Sequence, residues 1–293
     1  MAITAAQVKE LREMTGLGMM ECKQALTEAN GDQDAAIDIL RKKAGAKVDK
    51  KASRIAADGA IAIAVSEDGK NGAIVEVNSE TDFVAKGDEF LGFSADIAKC
   101  ILDNNPGDID ALLGMASPSG SGTIAETREA LVSKLGENMN IRRFERFETS
   151  GQIGSYEHGR KIGVIVVMEG GDEALAKDIA MHVAASKPQY VDNDEVPEDV
   201  IAKEKEILVE QAKQEGKPAD IVEKMVVGRV NKFLNEICLL GQPFVKDPDT
   251  TVEKLLKGAN ATVKHFVRFE VGEGMEKRDE DFAAEVMAQV KGA

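Results

Sequence analysis

The side chains able to do covalent or metal chemistry in this 293-residue chain are few and far apart. Its three histidines, His158, His182 and His265, and its three cysteines, Cys22, Cys100 and Cys238, share no local spacing. A zinc site is built from closely paired ligands, and a catalytic nucleophile needs a base and an orienting group. Neither pattern is visible. His182, between Met181 and Val183 in a helical stretch, reads as a core or interface residue. His265 lies in a strand and reads as structural, and His158, beside Gly159 at a hairpin tip, reads as solvated. The cysteines read as small buried hydrophobes of a reducing compartment, not as a disulfide framework. No phosphate-binding glycine loop, dinucleotide fingerprint or Gly-x-Ser-x-Gly turn occurs. Gly16 and Gly18 lack a preceding strand and read as a helix break. The acidic side chains lie mostly on helix faces, where solvation accounts for them. These residues argue for no enzyme, no bound cofactor and no metal centre.

What remains is contact chemistry. The segment Thr81-Asp82-Phe83-Val84-Ala85-Lys86 follows a strand-like run, Ala73 to Asn78, and precedes an amphipathic helix expected from Val84 to Leu102. Aromatic residues make up only 4% of the chain, so a Phe at this junction calls for an explanation. Either it staples a helix cap over the core, or it reaches a partner. A second candidate is the face carrying Met20 and Lys23, one helical turn apart, which Arg12 could join. Met20 lies off the expected buried stripe of Met19, Cys22, Leu26 and Ala29. It is either harmless exposure or a contact.

The elements that position these residues follow from periodicity. Thr4 and Gln7 match a capping box, and Val8, Leu11 and Thr15 give the first helix an apolar edge. Asn30-Gly31-Asp32 stops the second helix and caps a third, which carries Ala36, Ile37 and Leu40 on one face and is expected to end near Gly45. Residues 46–57, with Lys47, Lys50, Lys51 and Arg54, read as a solvated linker with one basic face. From residue 58 an internal repeat begins. A hairpin (Gly59 to Val65, Gly72 to Asn78) and its helix recur as Gly151 to Tyr156, Lys161 to Met168 and a helix from Asp172 to Ala185. Each copy ends in a similar strand, Arg143 to Glu148 and His265 to Glu270, with a pair of Phe residues. The second copy holds an insertion, Pro197 to Gln214 and a helix with Val222, Val226, Val230, Phe233 and Ile237, joined by a turn at Gly216-Lys217-Pro218. Two narrow apolar seams predict a projecting coiled-coil arm.

The expected fold class is α+β. It comprises an N-terminal three-helix module (1–45), the basic linker (46–57), two related antiparallel-sheet-plus-helix core modules (58–148; 149–187 with 241–272), an inserted antiparallel coiled-coil hairpin (188–240) and a C-terminal helix (273–293) with Phe282 and Val286 on one face. The chain carries 37 Lys and Arg against 52 Asp and Glu, a net charge of −15. That disfavours direct nucleic-acid binding and favours a partner with a basic surface. The start lacks a targeting pattern, and no apolar run approaches the roughly 20 residues of a membrane helix. A soluble cytoplasmic protein is the expectation.

Several runs together resemble the bacterial elongation factor Ts family. They are Val8-Lys9-Glu10-Leu11-Arg12 with Thr15-Gly16, Gly18-Met19-Met20-Glu21-Cys22-Lys23-Gln24-Ala25-Leu26, Asn78-Ser79-Glu80-Thr81-Asp82-Phe83-Val84-Ala85-Lys86, Gly136-Glu137-Asn138, Tyr156-Glu157-His158-Gly159, His182-Val183-Ala184-Ala185-Ser186-Lys187-Pro188 and Gly241-Gln242-Pro243-Phe244-Val245. The resemblance runs nearly end to end and in order. It implies a guanine-nucleotide exchange factor for the translational GTPase elongation factor Tu, which binds the GDP form, promotes GDP release by displacing the partner's Mg²⁺, and leaves when GTP binds. It also implies a ubiquitin-associated-like N-terminal module, and it allows a homodimer or a heterotetramer with the GTPase. By resemblance Phe83 is the wedge, with Thr81, Asp82 and Val84 around it. Arg12, Met20, Lys23, Lys51, Leu135, Gly136, Asn138, His158 and Val245 match further contact positions. Lys246 stands where the family's pattern has an apolar residue. No function is carried onto the loop from Asn104 to Gly122. The rival reading of the residues is a helix-binding or holdase protein acting through the arm, without exchange activity.

Overall fold

The structure, a computed structural model, describes residues 3–120, 122–214 and 219–275. The expected turn at Gly216-Lys217-Pro218 and the C-terminal helix from Asp279 lie outside the described residues. The chain divides into two compact units, one made of residues 3–62, 75–144 and 270–275, the other of 63–74 and 145–269.

The first unit opens with helices α1 (Ala5–Thr15), α2 (Met19–Glu28) and α3 (Gln33–Lys51). The Thr4 hydroxyl accepts from the Gln7 N–H at 3.3 Å and the Gln7 amide oxygen accepts from the Thr4 N–H at 3.0 Å, the reciprocal box the sequence predicts. Gly16 ends α1 in the left-handed conformation. Val8, Leu11, Cys22, Ala25, Leu26, Ala36 and Leu40 form the module's core. Two expectations change here. Met19 is exposed, because α2 starts at that residue and its buried stripe is Cys22, Ala25 and Leu26. The third helix does not end near Gly45 but runs to Lys51. Ala44 is buried and continues the Ala36–Leu40 ladder at spacing four, and that anchor outweighs the roughly 1 kcal/mol helix penalty of Gly45.

Next come β1 (Asp58–Val65), β2 (Asn71–Ser79), α4 (Asp82–Ala85), α5 (Asp88–Asn104), α6 (Ile109–Leu113), α7 (Ile124–Leu135) and β3 (Met139–Glu148). The sheet order is β1-β2-β3. The expected helix from Val84 is two helices, because Gly87 leaves helical geometry (φ −71°, ψ 140°) and becomes the N-cap of α5. Helix α6 falls inside the expected loop, capped by the Asp108 carboxylate on the Ala111 N–H at 2.7 Å. Helix α5 buries Phe90, Phe93, Ile97, Ala98 and Ile101 on one face.

The second unit adds β4 (Gln152–His158), β5 (Ile162–Glu169), α8 (Glu173–Ser186), α9 (Glu198–Gln214), α10 (Ala219–Ile237), β6 (Pro243–Phe244), β7 (Asp247–Thr251), α11 (Val252–Gly258) and β8 (Thr262–Glu270). Strands β4 and β5 pair antiparallel from Gln152 opposite Met168 to His158 opposite Ile162, and β8 joins β5. The predicted repeat of hairpin, helix and returning strand is thus present. Asp172 caps α8 through the Leu175 N–H at 2.8 Å. The helix lies directly on β4 at Gly154, where a Cβ would stand 2.4 Å from the Ala176 carbonyl oxygen. Leu208 and Ala212 of α9 meet Val222 and Val226 of α10, the narrow seam expected of the arm. Its base is closed by the Gln189 N–H on the Ile237 carbonyl and the Leu239 N–H on the Tyr190 carbonyl, both at 2.8 Å. Among the returning-strand phenylalanines, Phe269 is buried and Phe266 is half-buried against the second unit's core.

A buried carboxylate organises the first unit. Strand β2 is buried along nearly its whole length, yet it carries Glu76, which has no exposed surface. Glu76 accepts from the Gly272 N–H at 2.8 Å, Asn78 Nδ2 at 3.1 Å, Arg142 at 3.0 Å and Arg143 Nε at 2.7 Å. Burial works to raise its pKa, but the bonds from Gly272, Asn78, Arg143 and Arg142 together outweigh it and hold the carboxyl below its ordinary 4.5. A depressed carboxylate stabilises the fold above the unfolded pKa, and that contribution is lost as pH falls through the folded value. Glu76→Ala, which removes the buried carboxylate that both arginines share, is expected to destabilise the protein by on the order of 3 kcal/mol at pH 7. The gap to wild type should narrow below about pH 4.5. Urea unfolding across pH 3–7 checks both.

Candidate functional site

Strand β2 delivers the chain to Glu80 and Thr81, and Thr81 starts α4, a helix of four residues. The Thr81 hydroxyl accepts from the Val84 N–H at 3.4 Å, the N-cap bond. The same hydroxyl donates to Glu137 Oε1 at 2.6 Å, and the Thr81 N–H donates to Glu137 Oε2 at 3.0 Å. Lys86 pairs with Asp82 at 2.6 Å one turn on. Ala85 is the buried residue of the turn and Val84 is half-buried. Phe83 faces the other way and is 84% exposed. It therefore staples nothing over the core. The ring is thus accessible from outside, on a turn whose capping residue is held by a carboxylate.

The partner of Thr81 comes from the end of α7. Gly136 caps that helix at φ +84°, a conformation glycine adopts without strain, and Lys51 donates to its carbonyl. The reversal brings Glu137 to Thr81 and Asn138 to Glu80. The Asn138 N–H donates to Glu80 Oε1 at 2.6 Å, and its side-chain amide donates to the Arg54 carbonyl at 2.9 Å. Arg54 in turn pairs with Glu80 at 3.4 Å. Of the residues expected here, Gly136 is exposed and Leu135 half-buried, whereas Asn138 is only 1% exposed and its side chain faces inward. Lys51 is occupied with Gly136. On the N-terminal helices Arg12 and Lys23 are exposed and Met20 is 73% exposed, so the off-stripe reading of Met20 describes its position correctly.

The second unit holds the remaining expected positions. His158 is exposed at the hairpin tip, its Nδ1 3.2 Å from the Tyr156 hydroxyl. His265 is exposed and its ring tilts against Phe147 at 5.5 Å. Val245 is 44% exposed, and its backbone N–H donates to Nδ1 of the fully buried His182 at 3.2 Å. His182 Nε2 lies 2.9 Å from Gln242 Oε1, and the Gln242 amide donates to the Glu236 carbonyl at 2.7 Å. An Nδ1 that accepts and an Nε2 that donates define the neutral imidazole with its proton on Nε2. Lys246 pairs with Asp178 at 2.5 Å, an internal use for the charge that departs from the family's pattern.

Glu80, Glu137 and His182 were not singled out as site residues, although each lies in a run quoted for the resemblance. Their work is done through other side chains, across intervals that no local pattern reports. Among the described residues, no three His, Cys, Asp or Glu side chains converge as a metal site would require. The three cysteines are free, buried thiols, and burial, aided by Asp192 and Glu195, pushes Cys238 up to about 11. A cleft of about 610 Å³ in the first unit is lined by apolar side chains, among them Met14, Leu17 and Ile37, and by polar ones, among them Lys42, Glu129 and Ser133.

Comparison with known proteins finds a family and several relatives. The family model described as Elongation factor TS matches residues 80–273. A protein named Elongation factor Ts from Alkalilimnicola ehrlichii is 58% identical over 294 residues, the whole of both chains. One of the same name from Thioalkalivibrio sulfidiphilus is 57% identical over 295 residues, again end to end. Another, from Methylococcus capsulatus, is 58% identical over 292 residues, 99% of each chain.

The His182 geometry has a pH signature. Burial lowers its pKa from the ordinary 6.5, offset in part by the bond to Gln242. The unfolded chain then takes up a proton that the folded chain resists. The neutral-state stability is complete above about pH 6.5 and declines as pH falls below it. Thermal unfolding between pH 7.5 and 5 is expected to show this decline, and His182→Gln, which cannot titrate, is expected to lose that part of the slope.

Proposed function

This chain belongs to the elongation factor Ts family, and from that premise we propose that it is a guanine-nucleotide exchange factor for elongation factor Tu. It binds the GDP form, promotes GDP release and is displaced when GTP enters. The observation that carries the reading is Phe83, an exposed aromatic side chain on a four-residue helix pinned from behind by Glu137.

The proposed mechanism is a linkage. A protein that binds the nucleotide-free partner more tightly than the nucleotide-bound one must weaken nucleotide binding by the same factor. The differential contact has to be one that the bound nucleotide and its metal oppose. A rigid aromatic wedge meets that need. Phe83 enters between elements of the GTPase beside its magnesium site, with Thr81, Asp82 and Val84 setting its direction. The Mg²⁺ that leaves belongs to the partner. Arg12, Met20 and Lys23 extend the contact on the N-terminal helices, and Leu135 and Gly136 extend it beside the wedge. Lys51 and Asn138 contribute by holding that region. His158 and Val245 supply contacts from the second unit. We further propose a ubiquitin-associated-like first module that includes α3 to Lys51, two related core modules, a coiled-coil arm, a cytoplasmic location, and assembly with the GTPase as the working form. No helix among the described residues is long and apolar enough to cross a membrane.

Release of fluorescent GDP from elongation factor Tu tests the proposal. The chain is expected to accelerate release catalytically. Phe83→Ala is expected to slow that acceleration roughly tenfold or more, the scale of a lost aromatic anchor, with the fold intact by circular dichroism. Full-rate exchange by this variant would remove the wedge assignment. Deleting residues 196–240 should leave most of the exchange in place. Its complete loss, with the fold retained, would favour the helix-binding reading in which the arm is the active part.

A further inference from the structure

We propose that Glu137 is the positioning residue of the wedge, locking Phe83 in its exposed, contact-ready orientation. The inference rests on the exchange reading above and adds to it a residue that touches no partner.

Helix α4 has four residues, too few to be stable alone, because helix formation needs a costly first turn. Its shape therefore depends on its ends. At its C-terminal end the Gly87 N–H bonds back to the Val84 carbonyl at 2.9 Å and the chain turns away into α5. At its N-terminal end everything converges on Thr81. The hydroxyl has one proton to give and lone pairs to accept with, and both capacities are used: it donates to Glu137 and accepts from Val84. Glu137 fixes the direction of that proton and also takes the Thr81 N–H. One carboxylate therefore holds both the backbone and the side chain of the capping residue. Without it the hydroxyl is free to rotate out of the cap, and Phe83, two residues on, loses its defined direction. Glu137 is itself held in place by the left-handed Gly136 before it and the buried Asn138 after it. The bond from Asn138 N–H to Glu80 ties the next residue along the same way.

The test compares Glu137→Ala, Glu137→Gln, Phe83→Ala and the Ala/Ala double variant in GDP release from elongation factor Tu, with amide hydrogen exchange of residues 82–85 measured on the full chain. Glu137→Ala is expected to slow the stimulated release roughly five- to tenfold, the scale of a lost cap, and to speed amide exchange at 82–85. Glu137→Gln should restore most of that loss. Its amide oxygen can take the Thr81 N–H while its NH₂ donates to the hydroxyl, which can accept instead of donate. The double variant should be no slower than Phe83→Ala within about twofold, because Glu137 acts through the ring. A merely structural Glu137 would give losses that multiply in the double variant, and that result overturns the proposal. Full-rate release by Glu137→Ala, or unchanged amide exchange at 82–85, also overturns it. If the wild-type chain released no GDP, the exchange reading would fall. The amide readout would still decide the clamp, faster exchange in Glu137→Ala upholding it and unchanged exchange overturning it.

Discussion

A charge buried without exposed surface on a central strand has to be answered from several directions at once, and Glu76 is such a charge. The strand that carries it leads at its far end into the segment proposed for contact. Its four partners come from β2 itself, from β3 and from the backbone at Gly272. A hydrophobic contact could slide along β2, but a carboxylate bonded to two guanidiniums and a backbone N–H cannot, because each bond is directional. Such sites add specificity of register more than net stability, since desolvation consumes much of the Coulombic gain. What the first unit gains is a strand that cannot shift. Three residues past Ser79, where β2 ends, the chain has already entered α4.

The contact segment inherits that fixity. A wedge that deforms on contact spends its binding energy on its own reorganisation, so an exposed anchor is effective only when the groups behind it are already ordered. The order here is polar and local. Thr81 is held by Glu137, Glu80 by the Asn138 N–H and Arg54, and Asn138 by the carbonyl of Arg54. Three separate stretches of chain thus meet behind Phe83: the end of α3, the end of β2 and the end of α7. In the second unit Val245 has a similar foundation of its own. A buried neutral histidine takes its N–H and passes the connection through Gln242 to the last turn of α10. In both places the backbone beside an exposed apolar side chain is held by a polar side chain.

The legible part of this fold is the part written locally. Thr4 with Gln7 and the turns between paired strands lie within a few residues of what they control, and those elements stand where the pattern puts them. The seam of the arm was legible for the same reason, since spacings of three and four report a face directly. Boundaries decided by tertiary packing were not. Gly45 looked like a stop, yet buried Ala44 carries α3 onward, and Gly87 looked like an ordinary helical residue, yet the chain breaks there. Met19 fitted the buried stripe by spacing and lies outside it because its helix begins there. In the site, Phe83 could be picked out as an aromatic in an aromatic-poor chain, but whether it faced in or out could not. The clamp was invisible for a further reason: Thr81 and Glu137 are 56 residues apart, and no periodicity spans that interval.

The work proposed for this protein is a shift of equilibrium, and that asks for a different kind of surface than bond making does. An enzyme must place groups against reacting atoms, often by straining the backbone or perturbing a pKa in a cleft. An exchange factor needs only a surface that one state of its partner accepts and another state resists, and the size of that difference limits the effect. Two titratable groups without exposed surface are spent on structure. Glu76 is held charged beneath the sheet, and His182 is held neutral beneath Val245. Opposite protonation choices in the two units serve one physical end, since each fixes backbone that would otherwise be free to yield under load. The rigidity lies in polar chemistry, and the proposed recognition lies in the few apolar side chains that this rigidity leaves standing in water.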